Sequence, residues 1–128
     1  MKEKSLKKIL LVDDEPALTR MIQRNLERTG RFQVETENRG RDAIAAAKRF
    51  RPDLIFLDVM MPDIQGDEVA AAIEEDPELQ GTPYIFLTAI VTHGDTDSTG
   101  GEIGGKLFLA KPVKLQEMLE MIERVLGG

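Results

Sequence analysis

Short apolar runs that alternate with helix-period segments constrain this chain more than any other feature of its sequence. Ile9 to Val12, Leu54 to Leu57, Tyr84 to Leu87 and Leu107 to Ala110 are bounded by charged or turn residues, and Phe32, Val34 and Thr36 form a weaker alternating run. These read as five strands, the second at an edge. Helical periods lie between them. Pro16 suits a first helical turn, Leu18, Ile22 and Leu26 follow at four-residue spacing, and Gly30 can close the helix. A second helix, Asp42 to Phe50, places Ala43, Ala47 and Phe50 on one face, and a third groups Val69, Ala72 and Ile73 before stopping at Asp76-Pro77. In the last, Leu115, Met118, Leu119, Ile122 and Leu126 form an apolar stripe opposite Gln116, Glu117, Glu120 and Glu123. Strands alternating with helices imply crossover connections and a parallel sheet covered on both faces, so the fold class is α/β.

One connection breaks the pattern. A helix should join the fourth and fifth strands, but the segment between Thr88 and Lys111 holds Gly94, Gly100, Gly101, Gly104 and Gly105. Each glycine inside a helix costs roughly 1 kcal/mol against alanine, and few apolar residues are present to offset several of them. A short or absent fourth helix is expected, with residues 92–105 as a mobile segment.

With 128 residues the chain has the size of one domain, residues 1–128, and can bury a real core. A net charge of −6 argues against nucleic-acid binding, which needs a clustered basic face, and against an anionic membrane surface. The absence of cysteine removes disulfides, thiolate catalysis and cysteine zinc sites. The basic start is followed by too short an apolar run for a signal peptide, and no run reaches membrane-spanning length. A soluble cytoplasmic protein is therefore expected. His93, beside Gly94, reads as a loop residue without a role.

The strands of a parallel sheet point the same way, so their carboxyl ends share one edge, where open α/β sheets bind ligands. In this chain those ends carry Asp13 and Asp14, then Asp58, Thr88 and Lys111. Taken singly, each has a bland role as a turn residue, helix cap, strand residue or solvated charge. Together they bring three carboxylates, a hydroxyl and an ammonium to one crevice. Clustered carboxylates raise one another's pKa unless a cation intervenes, and oxygen-only ligands suit Mg²⁺, which commonly joins carboxylates to phosphate. Phosphoryl transfer needs such neutralisation, with Lys111 and the Thr88 hydroxyl each able to hold a phosphoryl oxygen. On this reading Asp58 ends a buried strand because it is phosphorylated.

The motifs "ILLVDDEP", "LIFLDVMMPDIQG", "LTA" and "FLAKP", in that order and spacing, resemble the receiver domain of two-component response regulators over almost the whole chain. The resemblance implies a flavodoxin-like doubly wound sheet of five parallel strands in the order 2-1-3-4-5. It further implies Asp58 as phosphoacceptor, Asp13 and Asp14 as the acidic pair around Mg²⁺ with Asp14 the direct ligand, and the Met60 carbonyl completing the metal site. By the same resemblance Thr88 and Lys111 contact the phosphoryl group, Pro112 follows a cis peptide bond, Phe108 is the aromatic switch residue, and Pro62 and Gly66 belong to the loop after the phosphoacceptor. Met60 and Ile90 stand where that family flanks the path of attacking water, which implies slow self-dephosphorylation.

The expected function is a stand-alone phosphoacceptor switch that takes a phosphoryl group from a histidine kinase or histidine phosphotransferase and signals to a protein target by contact. Its chemistry would be limited to its own phosphorylation and hydrolysis. A competing class is a haloacid-dehalogenase-type phosphohydrolase, which also uses an Asp on a parallel sheet with Mg²⁺. That family places its nucleophile after the first strand with a second Asp two residues on, where this chain has Glu15. A receiver that binds partners without phosphorylation is a third reading, disfavoured by the complete set of site residues.

Overall fold

The computed structural model describes residues 6–89, 100–103 and 105–127. Its elements run β1 (Lys7–Val12), α1 (Pro16–Glu27), β2 (Phe32–Glu37), a 3-10 turn (Gly40–Asp42), α2 (Ala43–Phe50), β3 (Leu54–Asp58), α3 (Gly66–Glu75), β4 (Tyr84–Thr88), β5 (Gly100–Ile103), β6 (Lys106–Ala110) and α4 (Leu115–Leu126). The sheet order is β2-β1-β3-β4-β6-β5. All neighbours are parallel except β5, which pairs antiparallel with β6.

The five expected parallel strands are therefore present in the flavodoxin-like order, with β2 at one edge, and a sixth strand lies outside the last of them. That sixth strand is an addition to the five-stranded expectation. Ile103 pairs with Lys106, and Gly105 just before Lys106 adopts φ +82°. Such a positive φ is one that glycine adopts without steric cost. The expected mobile segment 92–105 thus contains a strand at Gly100–Ile103. Residues 92–99 and 104 lie outside the described residues, and so does most of the segment on which a short or absent fourth helix was expected.

Side-chain alternation along the strands builds a core on each face of the sheet. Ile9, Leu11, Leu54, Phe56, Ile85, Leu87 and Leu109 face α1 and α4, meeting Ile22, Leu26, Met118, Met121 and Ile122. On the other face Leu10, Val12, Ile55 and Leu57 meet Ala43, Ala46, Ala47 and Phe50 of α2 and Val69, Ala70 and Ile73 of α3. The central strands are buried on both faces, which is why β1 and β3 read as continuous apolar runs rather than alternating ones. Two helix faces differ in detail from the sequence reading. Ala70 is buried in α3 while Ala72 is only half-buried, and in α4 Met121 is buried whereas Leu115 is exposed.

Helix ends follow local chemistry. Pro16 opens α1, where its missing N–H costs nothing. Glu68 accepts a hydrogen bond from the Gln65 N–H at the start of α3 (3.2 Å). Gly127 closes α4 with φ +76°. Among the described residues no helix is long and apolar enough to cross a membrane.

Candidate functional site

Strand register brings the chemistry-bearing residues to one edge. Val12 is opposite Leu57, Asp58 opposite Leu87, and Thr88 opposite Ala110. Asp58 and Thr88 are thus the last residues of β3 and β4, while Asp13 follows β1 and Lys111 follows β6 directly. The Lys111 N–H donates to the Thr88 carbonyl (2.9 Å), and the Lys111-Pro112 peptide bond is cis, as the family resemblance implied.

Asp13 is almost completely enclosed, at 1% exposure. Its Oδ1 accepts from the Glu15 N–H (3.0 Å), and its backbone carbonyl accepts from Asn38 Nδ2 (2.7 Å). The other carboxylate oxygen, Oδ2, is buried without a regular hydrogen bond but lies 2.8 Å from Lys111 Nζ. The same ammonium stands 3.3 Å from Asp58 Oδ1 and 3.5 Å from Glu15 Oε1. One cation is shared among three carboxylates. The groups of Asp13, Asp14 and Asp58 lie close enough that one oxygen from each falls within 4.8 Å of the others, an arrangement that could hold a metal ion.

These side chains surround a cavity of about 260 Å³ lined by Asp14, Glu15, Asp58, Met60, Thr88, Ala89 and Lys111. Its electrostatics are governed by enclosure. Burial, reinforced by the Asp13 charge, pushes the Asp58 carboxyl up to about 6, against the opposing pull of Lys111. Burial also works against the Lys111 ammonium, but its close contacts and charge interactions with Asp13 and Asp58 prevail and leave its pKa raised. The site thus holds one carboxylate poorly stabilised as an anion beside a firmly charged lysine.

The loop after β3 is tightly fixed. The Val59 N–H donates to Leu87 O (3.0 Å), and the Gly66 N–H donates back to Val59 O (2.8 Å). A Cβ on Gly66 would fall 2.4 Å from the Asp58 carbonyl oxygen, so only glycine permits this approach. Further along, Asp63 accepts hydrogen bonds from the Gly40 N–H (3.2 Å) and the Arg41 N–H (2.9 Å). Those backbone hydrogen bonds, that to Arg41 foremost, hold its pKa below the ordinary carboxylate value.

The structure therefore brings Asp13, Asp14, Asp58, Thr88 and Lys111 together, with Met60 exposed at the cavity mouth. Phe108 is buried in β6 opposite Phe86 and does not line the cavity. Pro62 is exposed in the loop between Asp58 and Gly66. Ile90 and His93 lie outside the described residues. Sequence reasoning missed Glu15, which reaches Lys111, and Asn38, which ties the Asp13 backbone to the Thr19 hydroxyl (3.0 Å). It also missed Asp63 as an anchor for the loop after β3. Nothing in their spacing marks them, since each acts through a contact made only in the fold.

Residues 9–123 match the response regulator receiver domain. The chain belongs to that family. This receiver is 30% identical over 121 residues to the polar-differentiation response regulator DivK of Brucella anthropi, covering 94% of this chain and 97% of DivK. It is 32% identical to the protein PilH of Pseudomonas aeruginosa, covering 94% of this chain and 98% of PilH. Other relatives are longer: the receiver spans 45% of the transcriptional regulatory protein TrcR of Mycobacterium tuberculosis, at 36% identity over 93% of this chain. Among solved structures, the chemotaxis response regulator CheY4 of Vibrio cholerae superposes with a TM-score of 0.78 at 29% identity, covering 94% of this chain and 99% of that one.

Proposed function

We propose that this receiver is a phosphoacceptor switch, with residues 1–128 acting as one unit that accepts a phosphoryl group on Asp58. The observation that carries the reading is Asp58 itself, a 4% exposed carboxylate lining a cavity, with two further carboxylates and the Lys111 ammonium around it. A carboxylate so enclosed is costly as a bare anion, and the cost is explained if its working states are cation-bound and phosphorylated. In the transfer, an Asp58 oxygen attacks phosphorus while the P–N bond of a phosphohistidine breaks, and the leaving imidazole keeps the bonding pair. The donor is a histidine kinase or histidine phosphotransferase and the receiver of the signal is a second protein. Neither a nucleic acid nor a membrane surface is a partner in this reading, and its setting is the cytoplasm.

The donor set fits Mg²⁺: it is oxygen-only, and one carboxylate oxygen from each of Asp13, Asp14 and Asp58 lies within 4.8 Å of the others. Asp13, Asp14, Asp58 and the Met60 carbonyl are the groups that would hold the ion, which when bound neutralises charge between the carboxylates and the phosphoryl oxygens. Thr88 and Lys111 line the same cavity and are assigned to the phosphoryl oxygens, Lys111 as a point charge already poised on Asp58. Thr88 drawn toward the phosphoryl group would alter packing against β6, where Phe108 is the switch residue. No external substrate is turned over. A hydrolase of the haloacid-dehalogenase type would use Asp13 as nucleophile, yet Asp58 lines the cavity and Asp13 lies sealed behind it.

Incubation with acetyl phosphate and Mg²⁺ tests the assignment by intact-protein mass spectrometry. Wild type should gain one phosphoryl mass, and Asp58→Asn should gain none. Phosphorylation of the Asp58→Asn variant under the same conditions would overturn Asp58 as the acceptor. Multiple turnover of a small phosphate ester would favour the hydrolase.

A further inference from the structure

Glu15 is the one cavity-lining acid to which neither the metal site nor the phosphoryl site assigns a role. It stands at the mouth, 61% exposed in its side chain, with Oε1 3.5 Å from Lys111 Nζ. Its backbone and its side chain act separately. The N–H orients the buried Asp13 carboxylate, whereas the carboxylate reaches across the entrance to the same ammonium that Asp13 and Asp58 hold more closely. An ion pair this exposed adds little to stability. Its position is another matter, because any phosphodonor must bring its negative charge past it.

Among the described residues four carboxylates, those of Asp13, Asp14, Glu15 and Asp58, share this site with the ammonium of Lys111. Even with a divalent cation bound, negative charge remains in excess. Asp13, Asp14 and Asp58 lie deeper and are the groups that would hold the cation, which leaves Glu15 as the carboxylate at the mouth that the cation does not engage. It also competes with an incoming phosphoryl oxygen for Lys111.

We infer that the Glu15 carboxylate is a specificity-determining group that selects among phosphodonors by charge, disfavouring small free anionic donors and favouring a protein donor that brings a cationic group to the entrance. The inference rests on Asp58 being the phosphoacceptor. With acetyl phosphate, an Asp58 oxygen attacks phosphorus, the bond from phosphorus to the bridging acetyl oxygen breaks, and acetate leaves with the electron pair. With phosphoramidate the P–N bond breaks and ammonia leaves. The chemistry at Asp58 is the same, but acetyl phosphate is dianionic near neutral pH and phosphoramidate monoanionic. Repulsion at the entrance therefore weighs more on the first.

The test measures phosphorylation rate per donor concentration by mass spectrometry at saturating Mg²⁺, for wild type, Glu15→Gln and Glu15→Asp, each with both donors at low and high salt. At low salt Glu15→Gln should speed reaction with acetyl phosphate by about three- to tenfold, the scale of one partly screened charge at short range. Phosphoramidate should gain less, so the ratio of the two rates rises by about twofold or more. High salt should shrink the difference, and Glu15→Asp should keep the wild-type ratio. A merely structural role would change both donors alike and would not respond to salt. A donor ratio unchanged in Glu15→Gln, or a change equal at both salt concentrations, overturns the inference while leaving Asp58 as acceptor. Failure of wild type to take a phosphoryl group from either donor overturns the phosphoacceptor reading, and the inference with it.

Discussion

Replacing Asp58 by Asn should stabilise the metal-free protein at neutral pH, even as it removes the proposed phosphoacceptor. The folded protein holds the Asp58 carboxyl at a pKa of about 6 against an ordinary value of 3.8, chiefly through burial and then through the Asp13 charge. The native state thus binds this proton more tightly than the unfolded chain does. Its stabilising effect is complete below pH 3.8 and is lost as pH rises through about 6, above which the folded protein carries a disfavoured anion. A shift of roughly two pKa units at 1.36 kcal/mol each sets an upper bound of about 3 kcal/mol. Asn also gives up the Asp58 contact with Lys111, which keeps Asp13 at 2.8 Å, and solvent screening lowers the figure further, so a net gain of about 1–2 kcal/mol is expected at pH 7.5. For a chain of this size that is a rise of roughly 3–10 °C in melting temperature. The assay is thermal unfolding of both proteins in chelator from pH 4 to pH 8. The two stabilities should converge toward pH 4 and separate above pH 6. Adding Mg²⁺ to about tenfold its dissociation constant should return roughly 1.4 kcal/mol to wild type by linkage, and less to the variant. An Asp58→Asn protein no more stable than wild type at pH 7.5, or a difference independent of pH, would refute the burial argument.

Three other substitutions probe separate links. Gly66→Ala places a methyl group 2.4 Å from the Asp58 carbonyl oxygen and 3.0 Å from Val59 Cα; it should cost about 1–3 kcal/mol in urea unfolding and slow phosphorylation by acetyl phosphate. Leu57→Ala empties a fully buried position one residue before Asp58; a loss of about 2–5 kcal/mol is expected in the same assay. Met60 and Ile90 carry no group able to orient water, so a Met60→Asn, Ile90→Glu double variant should lose its phosphoryl group faster than wild type, as followed by the decay of the phosphorylated mass.

Buried parallel strands advertise themselves as unbroken apolar runs, because both faces must be covered, and β1 and β3 were legible for that reason. The site was legible by the same logic: a strand such as Leu54–Asp58 that ends on a carboxylate puts it at the sheet edge where the neighbouring strands also end. Strand β5 was not. Counting the cost of each glycine against a helix argued correctly that Gly100 and Gly101 do not favour one, but the same residues are poor strand formers, so propensity pointed to neither state. The readable signal was the Gly104-Gly105 pair between Ile103 and Lys106, a sequence that favours an antiparallel return of the chain.

Glu15 was illegible for a different reason. In the sequence it is one acid after two others and before Pro16, and that position alone suits a helix cap. Its significance arises because β6 delivers Lys111 from ninety-six residues away to within 3.5 Å. Strand ends place backbone positions, which periodicity can reveal. The sharing of one ammonium among Asp13, Asp58 and Glu15 depends on where a long side chain points, and no spacing rule contains that. If Glu15 screens donors as inferred, the preference of this receiver is set by a side chain at the entrance whose contact with Lys111 exists only in the fold.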